Sequence, residues 1–308
     1  MAEPYAIRRA LAHYDLGELI DSTCIERESP QCQKCHHLRT AKGEFFLKRY
    51  ASFGRSKRAS FNVMRHLSGL GYPSVRFIPT RMGYPYIQQM RGALAIFEYL
   101  HQEEQQKATG IESRETGRSL ARLHNLTADF PLHSSYDIQR FQLSFERNKE
   151  KVLQAPEAFK PYFNYIDSNI NGLNPPPNTF QAVCHGEFTL QHIRFENEKL
   201  VKVVDWDNVG RDFAILDIGT ALTDALNTEN IDFDMIRSIL NGYEEERQLT
   251  DWEREHIFEA TQFGAFKFAI WALENIEHLG WKRFARRLAP IFNYDRTRFI
   301  EQLSLGNS

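Results

Sequence analysis

Apolar residues change their spacing several times along this chain, and each change marks an element. Ile7, Leu11 and Tyr14 recur at helical spacing, and Gly17 follows as a stop, so residues 4–16 are predicted to form a short helix. Strand-like runs follow at 19–26, 37–40 and 44–50, separated by turns at 30–35 and Lys42-Gly43. Phe61, Met64, Leu67 and Leu70 return to helical spacing over 56–70, and Gly71-Tyr72-Pro73 ends that helix. Two further strands are expected at 75–78 and 84–90. From Ala93 the pattern turns helical, over 93–106, 112–126, 141–154 and 159–170, and a Pro-rich connector at 172–177 closes the block.

The next stretch, Val183 to Gly210, switches back to period two. Ile193 and Phe195 alternate with polar residues, Glu196-Asn197-Glu198-Lys199 makes a turn, and Val201, Val203 and Val204 form a second arm. This predicts a tight β-hairpin. Helices resume at 232–242 and at Asp251, where Thr250 and Glu253 make a capping box. The last of these becomes apolar nearly all round from Phe263 to Leu273, as a buried helix does. Lys267 interrupts it. It is read as a snorkelling or paired core lysine, with a contact to a bound substrate as the alternative.

A hairpin sets the start of its first strand beside the end of its second. His192, just before the first arm, is therefore expected close to Asp205, just after the second, and Glu187 lies on the loop that feeds them. Two carboxylates and a metal-binding side chain on one edge suit phosphoryl transfer. One carboxylate accepts the proton of the attacking hydroxyl, while the other and its neighbour hold magnesium against nucleotide phosphates. An ordinary hairpin with solvated acids at its ends is the alternative.

His185-Gly186-Glu187, His192, Asp205-Trp206-Asp207 and Asp217-Ile218-Gly219 together resemble a motif of the aminoglycoside phosphotransferase and choline kinase superfamily. That motif is His-Gly-Asp-x-x-x-x-Asn, then Ile-Asp-(Phe/Trp)-(Asp/Glu), then Asp-Leu-Ala. Two positions depart: Glu187 stands for the catalytic Asp, and His192 for the Asn ligand. Tyr14 to Leu19, Gly43 to Lys48 and Leu67 to Pro73 look like homoserine-kinase-like and spore-coat kinase-like members. The resemblance implies an α+β, two-lobed protein-kinase-like fold, with a small N-terminal antiparallel sheet plus helix at 1–91 and a larger, mostly helical lobe at 92–308.

It also implies roles. Glu187 becomes the base, with His185 and Asp217 supporting its loop. Asp205, His192 and Asp207 become metal ligands. Lys48 contacts the α- and β-phosphates, and the Gln88, Gln89, Met90 stretch is the hinge that meets adenine. The helix position that pairs with such a lysine holds Ser60, and the phosphate turn 28–32 contains no Gly. The implied cofactors are ATP and magnesium, with manganese as the alternative metal, and the implied partner is a small-molecule hydroxyl acceptor. A pseudokinase or spore-coat-like structural module that keeps the fold without transfer is the rival reading.

Composition narrows the remaining classes. Net charge is −2 with 25% charged residues, which gives no basic footprint for nucleic acid or a membrane surface. No apolar run nears the ~20 residues of a membrane span, and the amphipathic N-terminal stretch lacks a secretory pattern, so a cytoplasmic location is expected. Cys32 and Cys35 match half a zinc site or a haem attachment, but no second ligand pair is present, so a metal-free turn is expected. Neither the acceptor's identity nor the oligomeric state is encoded in these patterns.

Overall fold

The computed structural model describes residues 3–25, 35–90, 92–101, 107–132, 138–227 and 230–304. Contacts divide the chain into two units, 1–103 and 104–308.

The first unit runs through helix α1 (Glu3–Leu11), strands β1 (Leu19–Ile25), β2 (Cys35–Thr40) and β3 (Gly43–Tyr50), helix α2 (Arg55–Gly69), and strands β4 (Phe77–Ile78), β5 (Ile87–Gln89) and β6 (Gly92–Glu98). The sheet is antiparallel in the order β1-β2-β3-β6-β4, with β5 also on β6. Alternation along β3 gives the sheet two working faces. Leu47 packs with Ile7, Leu11 and Leu16, from α1 and the segment after it. Tyr50 points the other way, into an aromatic cluster centred on Phe61 of α2, which also meets Phe77, Tyr86 and Phe97. Leu70, expected in the buried stripe of α2, is its C-cap and is half exposed.

Residues 93–98 are the main correction to the expected elements. Instead of opening a helix they form β6, whose register on β3 runs from Phe45↔Glu98 to Tyr50↔Ala93. Ala-Leu-Ala-Ile-Phe is buried throughout, and a strand covered on both faces loses its polar alternation and reads like a buried helix. Gly92 lets β6 begin hard against β3: a Cβ there would stand 1.9 Å from the Tyr50 carbonyl oxygen. The boundary between units therefore falls after this strand, at 103/104.

The second unit opens with α3 (Gly110–Thr127), α4 (Ile138–Asn148) and α5 (Lys160–Asn169). Four short strands follow: β7 (Gln181–Cys184), β8 (Ile193–Glu196), β9 (Lys199–Val203) and β10 (Gly210–Phe213). The rest is α6 (Ala214–Leu222), α7 (Phe233–Glu246), α8 (Asp251–Glu255), α9 (Ile257–Glu274), α10 (Ile276–Ala285), α11 (Leu288–Phe292) and α12 (Arg296–Ser304). β7 pairs with β10 and β8 with β9. The β8–β9 turn is as expected: Asn197 (φ 50°) and Glu198 (φ 62°) both adopt left-handed backbone, the type I′ pattern that matches strand twist. The expected helix from Asp251 is broken at His256 (φ −108°, ψ 17°), separating α8 from α9. The His256 ring bonds back to the Trp252 carbonyl at 2.7 Å, so side chain and backbone compete for the same acceptor.

α6 is buried over its whole length, and α9 crosses it at glycines. A Cβ on Gly219 would lie 1.9 Å from the Ala260 carbonyl oxygen, and one on Gly264 2.5 Å from that of Gly219. Backbone meets backbone there, which draws α9 close to the loop that α6 supports. Among the described residues, no helix is long and apolar enough to cross a membrane.

Candidate active site

β7 delivers the chain to His185-Gly186-Glu187. The amides of His185 and Gly186 donate to the two oxygens of Asp217 at 2.6 and 2.9 Å, so one carboxylate on α6 fixes the start of the loop. Gly186 holds φ 83°, a conformation that a side chain resists. The His185 ring is fully buried. Its Nε2 bonds the Val204 carbonyl at 3.0 Å, and its Nδ1 accepts from the Glu187 amide at 3.2 Å. A carbonyl only accepts and an amide only donates, so Nε2 carries the proton and the ring is neutral. Burial agrees, pushing the imidazole down to about 4.

The hairpin geometry brings His192 and Asp205 together. The amide of Val204 donates to the His192 carbonyl at 2.8 Å, closing the two arms. The His192 Nδ1 lies 2.8 Å from the Glu187 carbonyl oxygen, so Nδ1 is the protonated nitrogen. In the neutral ring the lone pair is then on Nε2, which stands 3.9 Å from Asp205 Oδ2. Asp205 itself adopts left-handed backbone (φ 59°, ψ 60°), a conformation that turns this carboxylate out of the strand direction. A divalent ion holding adjacent donors at about 2.0–2.2 Å sets them roughly 3.0–3.5 Å apart, so this pair would close by about half an ångström or more to share one. Asp207 lies two residues on, in the half-buried turn Trp206–Asn208.

Sequence reasoning missed two parts of this site and held a third only as an alternative. The first is Asp224, whose side chain is only 7% exposed, seven residues after Asp217 and so on the same side of α6 and its continuation. Its Oδ2 accepts from the Leu190 amide at 2.6 Å, and its Oδ1 pairs with Arg287 at 3.1 Å. Burial raises its pKa. Two carboxylates thus clamp the loop on both sides of Glu187. The spacing of seven was the available signal. The second is a buried polar chain behind Asp217. His124 Nε2 lies 3.5 Å from Asp217 Oδ2, its Nδ1 meets the Tyr243 hydroxyl at 2.7 Å, and Arg247 continues from Tyr243 to buried Glu253. His124, Cys184 and Asp217 place one potential ligand atom each within 4.8 Å of one another. Asp217 already accepts two amides and burial holds the Cys184 thiol protonated, so this cluster is a loop anchor.

The third is Lys267 of α9, only 5% exposed. With Glu187 it lines a pocket of about 90 Å³ that Asn208, Phe268, Trp271 and Arg140 help to enclose. Burial lowers its pKa to about 8, against the opposing pull of the Glu187 and Asp217 carboxylates.

The other expected residues belong to the first unit. Lys48 is 7% exposed on the α2 side of β3, its Nζ 5.4 Å from the centre of the Tyr50 ring. Ser60 is buried and bonds the Lys57 carbonyl of its own helix at 2.7 Å. The Gln88, Gln89, Met90 stretch is corrected in its placement. Gln88 and Gln89 sit in β5, and Met90 is fully exposed in the turn to β6, because the chain makes one more strand before it leaves the sheet. The connector that follows that last strand begins at Tyr99. Cys32 and the turn 28–32 lie outside the described residues, while Cys24 is exposed and Cys35 buried.

The chain matches known proteins over the same region. The model of the phosphotransferase enzyme family matches residues 36–258. A homoserine kinase of Caulobacter vibrioides is 27% identical over 242 residues, covering 76% of this chain and 75% of that protein. An amicoumacin kinase solved with AMP-PNP and Ca²⁺ superposes with a TM-score of 0.74 at 15% identity, over 97% of both chains. A spectinomycin phosphotransferase solved with ADP and spectinomycin gives 0.68 at 14% identity, again over 97% of both. These likenesses identify the α+β, kinase-like fold, and the family match, which takes in β2 through α8 and the whole clamped loop, shows that the chain belongs to the phosphotransferase enzyme family.

Proposed function

We propose that the chain transfers the γ-phosphoryl group of ATP to a hydroxyl of a small molecule. The observation that supports this reading is the approach of His192 Nε2 to the Asp205 carboxylate, 3.9 Å, with the His192 ring held by the backbone carbonyl of Glu187. Glu187 takes the proton of the acceptor hydroxyl as its oxygen attacks the γ-phosphorus. The bond from that phosphorus to the bridging oxygen breaks, and ADP leaves. His185 and Asp217 hold the loop so that the Glu187 carboxylate reaches the acceptor within ~2.6–3.2 Å. Asp205 and His192, with Asp207 as a further ligand, hold a divalent ion, magnesium or manganese, which neutralises charge on the phosphates. Lys48 binds the α- and β-phosphates, and the backbone at 99–101 replaces 88–90 as the adenine contact. The names of the relatives, a homoserine kinase, an amicoumacin kinase and a spectinomycin phosphotransferase, support a small-molecule acceptor.

The test is a melting shift with ATP and magnesium. A ligand that binds only the folded state adds about 2.7 kcal/mol at one hundred times Kd. Wild type is expected to shift, and Asp205→Ala to lose most of the shift. Glu187→Gln should keep the shift yet lose ~10²–10⁴ in turnover, since it keeps the size and loses the base. A wild-type chain that does not respond to nucleotide, or a fully active Glu187→Gln, rules the reading out.

A further inference from the structure

We propose that Lys267 docks an anionic group of the acceptor, a carboxylate foremost, so that the substrate is a small hydroxy acid or hydroxy amino acid and not a polycationic amino sugar. This rests on the phosphotransfer reading of Glu187. An acceptor hydroxyl must lie within about 3 Å of the base to be deprotonated. Its remaining atoms must then fill the pocket that Glu187 lines, and Lys267 lines the same pocket. The pocket measures about 90 Å³. Sites for drug-sized ligands run to about 300–1,000 Å³, so this one takes a molecule of a few heavy atoms.

The charges of the lining select further. Lys267 stands on a helix otherwise buried in apolar contacts, a position where lysine is rare and costly. At the Gly219–Gly264 crossing that helix meets α6, which carries Asp217, backbone to backbone. Arg140 and Glu274, both exposed, line the same pocket further out, so its charges are two cations and two carboxylates. Once Glu187 is engaged with the hydroxyl, a polyamine finds one carboxylate and two repelling cations. A carboxylate finds Lys267 and Arg140, and Glu274 remains for an ammonium on the same molecule. Glu187, Asp217, Cys184 and Arg287 are the titrating groups around Lys267, and with its pKa near 8 the side chain is mostly charged at neutral pH.

The test is calorimetric binding to the full chain, with and without AMP-PNP and magnesium. The probes are L-homoserine, L-threonine and 4-hydroxybutyrate, their carboxamides, and the cationic alcohols choline and spectinomycin. At least one hydroxy acid is expected to bind, its carboxamide at least about thirty-fold more weakly, the lower bound for removing one partner of a buried charge pair. Lys267→Met should bring that ratio close to one, and Lys267→Arg should keep part of it. Carboxamides or cationic alcohols binding as tightly as the acids, no acid binding, or Lys267→Met retaining the ratio each overturns the proposal. The wild-type comparison decides even if the variant does not fold. Failure of the phosphotransfer reading shows separately, as wild type giving no heat with AMP-PNP itself.

Discussion

One ring at position 192 fills two posts. Its Nδ1–H donates a hydrogen bond to the Glu187 carbonyl, which leaves Nε2 to face Asp205. An amide divides donor and acceptor between its nitrogen and oxygen, so an Asn at 192 could serve the same two contacts. The donor atom changes in kind, because imidazole nitrogen suits manganese, cobalt or zinc better than magnesium. Turnover of ATP should therefore rise when manganese replaces magnesium, and His192→Asn should reverse that order. Equal metal preference in both proteins would count against His192 as a ligand. Lys267 makes a second residue-scale prediction. Burial takes its pKa from 10.5 to about 8, a penalty on the ammonium of roughly 3 kcal/mol. The folded state sheds its proton first, so the unfolded state holds more protons between those values and stability rises with pH from about 8 to 10.5. Denaturant titrations should show that rise in wild type and its absence in Lys267→Met, which should also be the more stable protein at pH 7.

Elements matter here through what they hold. α6 and its continuation present Asp217 and Asp224 to the loop, one gripping its start and the other the amide of Leu190. Arg287, just before α11, balances the second grip. Asp224→Asn leaves that guanidinium buried beside an amide and should cost about 3–5 kcal/mol in urea unfolding. Adding Arg287→Met should recover much of the stability, because the stranded charge is gone. Activity should stay low in the double variant, since the Leu190 amide has still lost its carboxylate. Recovery of both together would show that Asp224 serves only the core.

The buried chain from Asp217 through His124, Tyr243 and Arg247 to Glu253 joins α6, α3, α7 and α8 into one scaffold. Burial works against ionising Asp217, but His124, His185 and the loop amides hold its pKa below the ordinary 3.8. Its charge therefore stabilises the fold above 3.8, and that contribution disappears as pH falls through the lower folded value. Acid unfolding of Asp217→Asn should start from a lower stability and fall less steeply in that range. The sequence made the hairpin legible, and with it the His192–Asp205 approach, because alternation and a turn determine which ends meet. It did not make legible the partners of Asp224, His124 and Lys267. Leu190 and Asp224 are 34 positions apart and His124 and Tyr243 119 apart, distances over which periodicity carries no pairing information. β6 was hidden for another reason, since burial on both faces removed its alternation. The scaffold grips the loop by main-chain amides, at His185, Gly186 and Leu190, and not by the side chains that the loop displays. The mount is thereby indifferent to the tool. Exchanges of the side chains at 187 and 192 would leave these amide contacts in place, so the two positions can change without a new fold.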